Sequence, residues 1–136
     1  RRRGRVTVLT PHEGEFLRVG GNLSQGRTAA AEDFARRSEA VVVLKGPGTV
    51  VAGPDGRCRV NTTGDCGMAK GGSGDVLSGV VLALLGLGMD AFDACCCAVW
   101  LHGRAGDLAA QEKGQWGMTP TDLLERLPQA LREVTE

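Results

Sequence analysis

Residues 71–75 read Gly71-Gly72-Ser73-Gly74-Asp75, and an apolar run at residues 76–87 follows them directly. Valines and leucines recur on one face of that run at helical spacing. A glycine-rich turn that opens a helix is an anion site, because the first-turn N–H groups have no partners within the helix and the helix dipole favours negative charge there. This stretch therefore predicts a phosphate-binding turn in an α/β enzyme.

Asp75 stands where a phosphate is expected to bind, although a carboxylate repels phosphate. One reason for its presence is general-base chemistry, in which Asp75 removes a proton from a hydroxyl that attacks a phosphoryl group. The alternative is a plain helix start with Asp75 as its capping residue. The five residues alone do not decide between the two, because a short motif is only a hypothesis.

Composition limits the class of protein. The chain has 136 residues, which fits one domain, and its formal net charge of zero argues against a nucleic-acid binder. The longest apolar run is too short to span a membrane. Five cysteines, three of them in succession, do not form a disulfide framework or a zinc pattern, so a reduced, cytosolic setting is expected. Arg1 in place of methionine indicates a processed chain or a piece of a longer one.

Strands and helices alternate along the chain. Strands are predicted at residues 6–9 and 40–44, and the second is a continuous β-branched run typical of a strand buried on both faces. A hairpin is predicted at residues 49–52 and 58–60. Helices are expected at residues 14–19, 28–38, from 76, 91–111, and from Pro120 with Thr119 as N-cap. This order predicts a three-layer α/β domain with a mainly parallel sheet, incomplete on its N-terminal side.

Three loops follow the predicted strands, at residues 10–15, 45–49 and 61–75. All three hold polar residues beside glycine or proline. Ligands of open α/β sheets bind at the carboxyl ends of the strands. The three loops together therefore predict a single nucleotide site.

Five ordered stretches of the sequence resemble one family. They are LTPHEGE at residues 9–15, VLKGPGTV at 43–50, NTTGDCGMAKGGSGDVLSG at 61–79, LHGRAGD at 101–107 and MTPTDLL at 118–124. Together they resemble the ADP/ATP-dependent NAD(P)H-hydrate dehydratases, members of the ribokinase-like superfamily. Family domains are longer on the N-terminal side, so the resemblance implies that residues 1–136 are the C-terminal portion of one such domain.

The resemblance implies a lyase of metabolite repair. Such enzymes restore NADH and NADPH from their hydrates by phosphorylating the ring hydroxyl and eliminating phosphate, and the co-substrate is ADP, converted to AMP, or ATP, with Mg²⁺. We also expect a cytoplasmic homo-oligomer with no nucleic-acid or membrane partner, and an epimerase as an additional domain or partner. The alternatives are a small-molecule alcohol kinase of the same superfamily and a non-catalytic nucleotide-binding fragment.

The resemblance assigns roles to individual residues. Asp75 would be the base and would contact the hydrate, as would His12. No residue is assigned as a metal ligand, and Asn61 would lie near the phosphates and Mg²⁺. The nucleotide-binding residues would be Lys45, Gly46, Pro47, Gly48, Thr49, Asn61, Gly72, Ser73 and Gly74.

Several of these residues also have plainer interpretations. His12 could cap the following helix, Lys45 could carry the chain out to solvent, and Trp100 is expected in the core. Glu13 stands where the family usually has proline, which adds charge and chain freedom beside His12.

Overall fold

The computed structural model describes residues 7–46, 48–63, 73–113 and 120–135. Within these ranges four strands form one sheet in the order β1-β2-β3-β4, and five helices pack around it. The strands are β1 (Val8–Leu9), β2 (Val41–Leu44), β3 (Val50–Ala52) and β4 (Cys58–Val60). The helices are α1 (Glu13–Arg18), α2 (Arg27–Ser38), α3 (Ser73–Gly86), α4 (Ala91–Lys113) and α5 (Pro120–Thr135).

The described sheet is mixed. Strand β1 runs parallel to β2, with Val8 opposite Val41, whereas β2–β3 and β3–β4 are antiparallel pairs. The predicted hairpin is confirmed as β3–β4. The prediction of a mainly parallel sheet needs correction for these strands, because the connection at residues 45–49 is too short for the crossover that a parallel β2–β3 pair requires.

Strand β2 is the centre of three layers. Its four residues are all buried, as the β-branched run predicts. Alternate side chains point to opposite faces of a strand. Val42 and Leu44 therefore pack with α1 and α2, in a cluster that includes Phe16 and Phe34. Val41 and Val43 pack with α3 and α4 on the other face. The predicted three-layer α/β architecture is confirmed.

Helix α4 carries the consecutive cysteines and supports α5. Cys95 is fully buried against the sheet, and burial raises the pKa of its thiol to about 12. The described cysteines are all free thiols, as the sequence predicts, while Cys66 lies outside the described residues. A smaller cluster joins α4 to α5 through residues such as Leu101 and Ala130. In the described parts of the chain, no helix is both long and apolar enough to cross a bilayer.

Candidate active site

Two predicted site loops leave the sheet side by side. Because β1 and β2 are parallel, their following residues emerge at the same edge. The pairing continues past the strand ends: the Lys45 N–H donates to the Pro11 carbonyl at 2.9 Å, and Lys45 lies opposite His12 in an isolated bridge. The predicted convergence of residues 10–15 with residues 45–49 is therefore observed.

The start of α3 meets the same edge. Helix α3 begins at Ser73, and a Cβ placed on Gly74 would lie 3.2 Å from Lys45 Nζ. The half-buried Lys45 therefore directs its ammonium to the first turn of α3 and does not simply carry the chain into solvent. Asp75 is exposed in that same turn. Gly72 and Pro47, two predicted nucleotide-binding residues, lie outside the described residues.

His12 caps α1. Its Nδ1 accepts the Glu15 N–H at 3.2 Å, and the His12 N–H donates to Glu15 Oε1 at 3.0 Å, which makes a capping box. The hydrogen bond from the His12 backbone is the main reason that the pKa of Glu15 is lowered. The plainer interpretation of His12 is thus confirmed, while its contact with substrate stays a prediction.

Arg27, which was not predicted as a site residue, links the two loops. This first residue of α2 donates to the Leu44 carbonyl at 3.0 Å and to the Gly48 carbonyl at 3.5 Å, and it forms an ion pair with Glu13. Glu13, which stands where the family usually has proline, is the first residue of α1, and its carboxylate pairs with Arg27. No local pattern could identify these contacts, because they join segments distant in sequence.

Two glycines after β2 adopt unusual backbone conformations. Gly46 and Gly48 have φ values of +144° and +65°, which side-chain-bearing residues rarely adopt. The Thr49 hydroxyl donates to the Gly46 carbonyl at 3.0 Å. The Thr49 carbonyl in turn accepts the Asn61 N–H at 2.8 Å, which places two predicted nucleotide-binding residues side by side.

Asn61 and Thr63 connect the end of β4 to α4. The Asn61 Nδ2 donates to the Thr63 carbonyl and hydroxyl oxygens, each at 3.0 Å, and the Thr63 hydroxyl donates to the Trp100 carbonyl at 3.0 Å. Thr63 lies so close to α4 that a Cβ placed on Gly103 of that helix would be 2.2 Å from Thr63 Oγ1. Gly103 is therefore the residue that lets the loop after β4 lie directly on α4.

A groove of about 610 Å³ opens between the end of β4 and α4. Trp100 was expected in the core, but it is half-buried and contributes one surface to this groove and another to the α4–α5 cluster. Arg57 lies near one end, where its guanidinium stacks 4.7 Å above the Phe92 ring and pairs with Asp90 at 2.9 Å. The groove is lined by Arg59, Val60, Asn61, Thr62, Phe92, Asp93, Cys96, Cys97 and Trp100.

The comparisons with known proteins agree with this geometry. A family model described as NAD(P)H-hydrate dehydratase matches residues 1–129. The chain belongs to the NAD(P)H-hydrate dehydratase family. It is 48% identical over 134 residues to the bifunctional NAD(P)H-hydrate repair enzyme Nnr of Thermofilum pendens, covering 96% of this chain and 26% of the relative. It is 40% identical over 125 residues to the ADP-dependent (S)-NAD(P)H-hydrate dehydratase of Bacillus subtilis. That match covers 89% of this chain and 45% of the relative.

Solved structures of this family and superfamily share the fold. The Bacillus subtilis ADP/ATP-dependent NAD(P)H-hydrate dehydratase, co-crystallised with ATP/Mg²⁺, superposes with a TM-score of 0.91 at 37% identity, covering 98% of this chain and 50% of that chain. A ribokinase-like superfamily protein of Enterococcus faecalis superposes with a TM-score of 0.81 at 29% identity. That match covers 93% of this chain and 44% of that chain. The predicted ribokinase-like fold is confirmed, and the chain spans half or less of the length of these relatives.

Proposed function

We propose that this chain supplies the nucleotide site and the catalytic base of an enzyme that dehydrates the hydrates of NADH and NADPH at the expense of ADP or ATP. The observation that carries the proposal is the approach of the Lys45 ammonium to the first turn of α3, in which Asp75 also lies. A cation and a helix N-terminus attract phosphate. A carboxylate beside them suits proton removal from an attacking hydroxyl.

The proposed chemistry has two steps. Asp75 accepts the proton of the ring hydroxyl as its oxygen attacks the terminal phosphoryl group, and AMP leaves when the co-substrate is ADP. The ring then loses a proton from carbon while the C–O bond breaks, so phosphate departs and the double bond is restored. Phosphorylation is needed because hydroxide is a poor leaving group. Lys45 and the N–H groups of α3 hold the phosphates and stabilise the charge that develops on them.

Mg²⁺ fits this site as a partner of the nucleotide. Among the described residues, no group of three histidine, cysteine or acidic side chains could hold a metal ion on its own. Asn61, whose N–H is hydrogen-bonded to the Thr49 carbonyl, supplies an amide oxygen, and Mg²⁺ in phosphoryl-transfer sites combines few protein oxygens with substrate phosphates. When bound, the ion neutralises phosphate charge and aligns the transferred group.

The groove beside α4 is the proposed place for the nucleotide base. Asn61 lines the groove, and its N–H is hydrogen-bonded to the carbonyl of Thr49, one of the proposed nucleotide-binding residues. Trp100 and Phe92 provide aromatic surface there. Adenine binding sites in general combine apolar or aromatic walls with a few polar groups, and this groove has that composition.

We also infer that residues 1–136 are the C-terminal portion of one domain. The two-residue strand β1 lies at an edge of the described sheet, and edges are normally paired or covered. Leu82 on α3 and Leu87, which directly follows α3, are exposed by 71% and 80%, although a helix that is apolar on all sides is normally buried. Relatives of greater length carry additional chain that could cover both features.

The remaining proposals concern the setting of the enzyme. Free thiols in the described residues support a reduced, cytoplasmic location. The word "bifunctional" in the name of the Thermofilum pendens relative supports a second activity in the intact protein, for which we propose the epimerase. We also propose a homo-oligomer and no nucleic-acid or membrane partner.

Calorimetry with ADP and with ATP, each with Mg²⁺, tests the nucleotide site. Gly74→Val places a branched side chain against Lys45 Nζ, so we expect nucleotide binding to be lost. Glu125→Ala on exposed α5 is the control and should bind normally. Equal loss of binding in the two variants would contradict the proposed site.

Asp75→Asn, made in this chain joined to a complete N-terminal half, tests the base. Turnover should fall by at least about 10²-fold, since general-base catalysis typically contributes about 10²–10⁴-fold. Nucleotide affinity should hold or rise slightly, because a negative charge near the phosphates is removed. Near-normal turnover would rule out Asp75 as base. Release of free phosphate together with restored NADH distinguishes the dehydratase from an alcohol kinase, whose product keeps the phosphate.

A further inference from the structure

Arg27 lies between the two loops of the proposed site. Its guanidinium donates to the carbonyls of Leu44 and Gly48, which stand at the two ends of the turn after β2. The same group pairs with Glu13, beside the capping residue His12. With a side chain only 25% exposed, Arg27 reaches all three partners from beneath the loops.

The turn is built closely around this guanidinium. A Cβ on Gly46 would lie 3.2 Å from Arg27 Nη1, so the chain passes almost in contact with the charged group. Only arginine has a planar fork with several donors that can satisfy two carbonyls and a carboxylate at once. Lysine offers a single ammonium on a flexible stem and could not span the same three acceptors.

Arg27 contacts protein groups in both loops, so it can act on a ligand through the positions of the loops. Residues 45–49 carry Lys45 and Thr49, and residues 10–15 carry His12. Along the sheet, the loops meet at the hydrogen bond from Lys45 to Pro11 and at the bridge between Lys45 and His12. The ion pair between Arg27 and Glu13 is a further connection between the two loops.

We propose that Arg27 and Glu13 are positioning residues that couple residues 45–49, which carry Lys45, to residues 10–15, which carry His12. Arg27 holds residues 45–49 in the conformation that directs Lys45 to α3, and Glu13 ties residues 10–15 to that conformation. Ordering of one loop by its ligand therefore favours the ordered state of the other. The consequence for ligand affinity rests on the function proposed above.

The test uses Arg27→Gln, Arg27→Lys and Glu13→Gln in this chain. Arg36→Gln is the matched control, because Arg36 lies on the same helix and pairs with Asp33 on an exposed surface. Amide hydrogen exchange of the ligand-free protein is measured on peptides that cover residues 10–18 and 45–49. Calorimetry with Mg-ADP measures nucleotide affinity in the same variants.

We expect Arg27→Gln to speed exchange in both loops and leave β2 protected, with the control unchanged. Arg27→Lys should give an intermediate result. Glu13→Gln should speed exchange in residues 45–49 although it changes only the other loop. Binding of Mg-ADP should weaken by about tenfold or more in Arg27→Gln, the size expected when a hydrogen bond to a charged group is lost.

Two results would overturn the coupling. One is faster exchange throughout the chain in Arg27→Gln, with Glu13→Gln leaving residues 45–49 unchanged, because Arg27 would then serve general stability only. The other is wild-type exchange in both loops in all three variants. A wild-type chain that fails to bind Mg-ADP would instead overturn the proposed nucleotide site, and the exchange results would still decide whether Arg27 and Glu13 order the loops.

Discussion

Replacing Gly103 with alanine tests whether the loop after β4 lies directly on α4. Alanine is the better helix former by about 1 kcal/mol, so local propensity alone predicts a more stable protein. The new Cβ would lie 2.2 Å from Thr63 Oγ1 and 2.8 Å from the Thr63 carbonyl carbon, and backbone cannot rotate away as a flexible side chain can. Thr63 must therefore move.

The expected loss has two parts. Overpacking typically costs about 1–3 kcal/mol. Displacement of Thr63 also breaks its 3.0 Å hydrogen bond to the Trp100 carbonyl, for about 0.5–1.5 kcal/mol more. After the gain in helix propensity is subtracted from these losses, the free energy of unfolding should fall by roughly 2 kcal/mol. Asn61 should shift with Thr63, because its Nδ2 donates to that residue, so nucleotide affinity should fall as well.

Urea-induced unfolding of Gly103→Ala and Gly79→Ala measures the effect. Gly79 lies on an exposed part of α3, and a Cβ there would meet nothing within 4 Å. Gly79→Ala should therefore stabilise the chain by up to about 1 kcal/mol. The two variants should move the unfolding midpoint in opposite directions with similar m-values. Equal stabilisation by both substitutions would refute the close contact between Thr63 and α4.

Two further outcomes follow from the titrating groups. The hydrogen bond from Arg57 is the main reason that the pKa of Asp90 lies below its usual 3.8, so this pair stabilises the fold above that pH and loses its contribution as the pH falls further. The difference in Tm between wild type and Arg57→Gln should shrink below about pH 4, and a difference that does not vary with pH would contradict the ion pair. Cys95, with a pKa of about 12, should resist thiol labelling at pH 8 in the native chain and react in urea, as mapped by mass spectrometry; equal labelling in both states would contradict its burial.

Local patterns in the sequence predicted α2, β2 and the hairpin, because alanine-rich, β-branched and turn-forming segments have strong preferences of their own. The mixed sheet was missed, although the short connection at residues 45–49 was visible and excludes a parallel crossover. The capping role of His12 was one of two interpretations, since histidine is not a common N-cap residue.

The candidate site was predicted less completely than the fold. Glycine-rich loops and Asp75 could be identified because they form continuous motifs. Arg27 could not, because its contacts with Glu13, Leu44 and Gly48 exist only after α2 packs on the sheet. The need for glycine at position 103 likewise depends on Thr63, which belongs to a different element.

The approach of Lys45 to α3 has a consequence for the protein without its ligand. The ammonium and the positive end of the helix dipole repel each other, and exposed Asp75 offsets only part of this interaction through water. In the nucleotide site proposed above, a bound polyphosphate would remove this repulsion. Binding and folding would then be thermodynamically linked, and the occupied chain would resist unfolding better than the empty one. The persistence of this protein in a cell would then depend on the local supply of nucleotide, even when no substrate awaits repair.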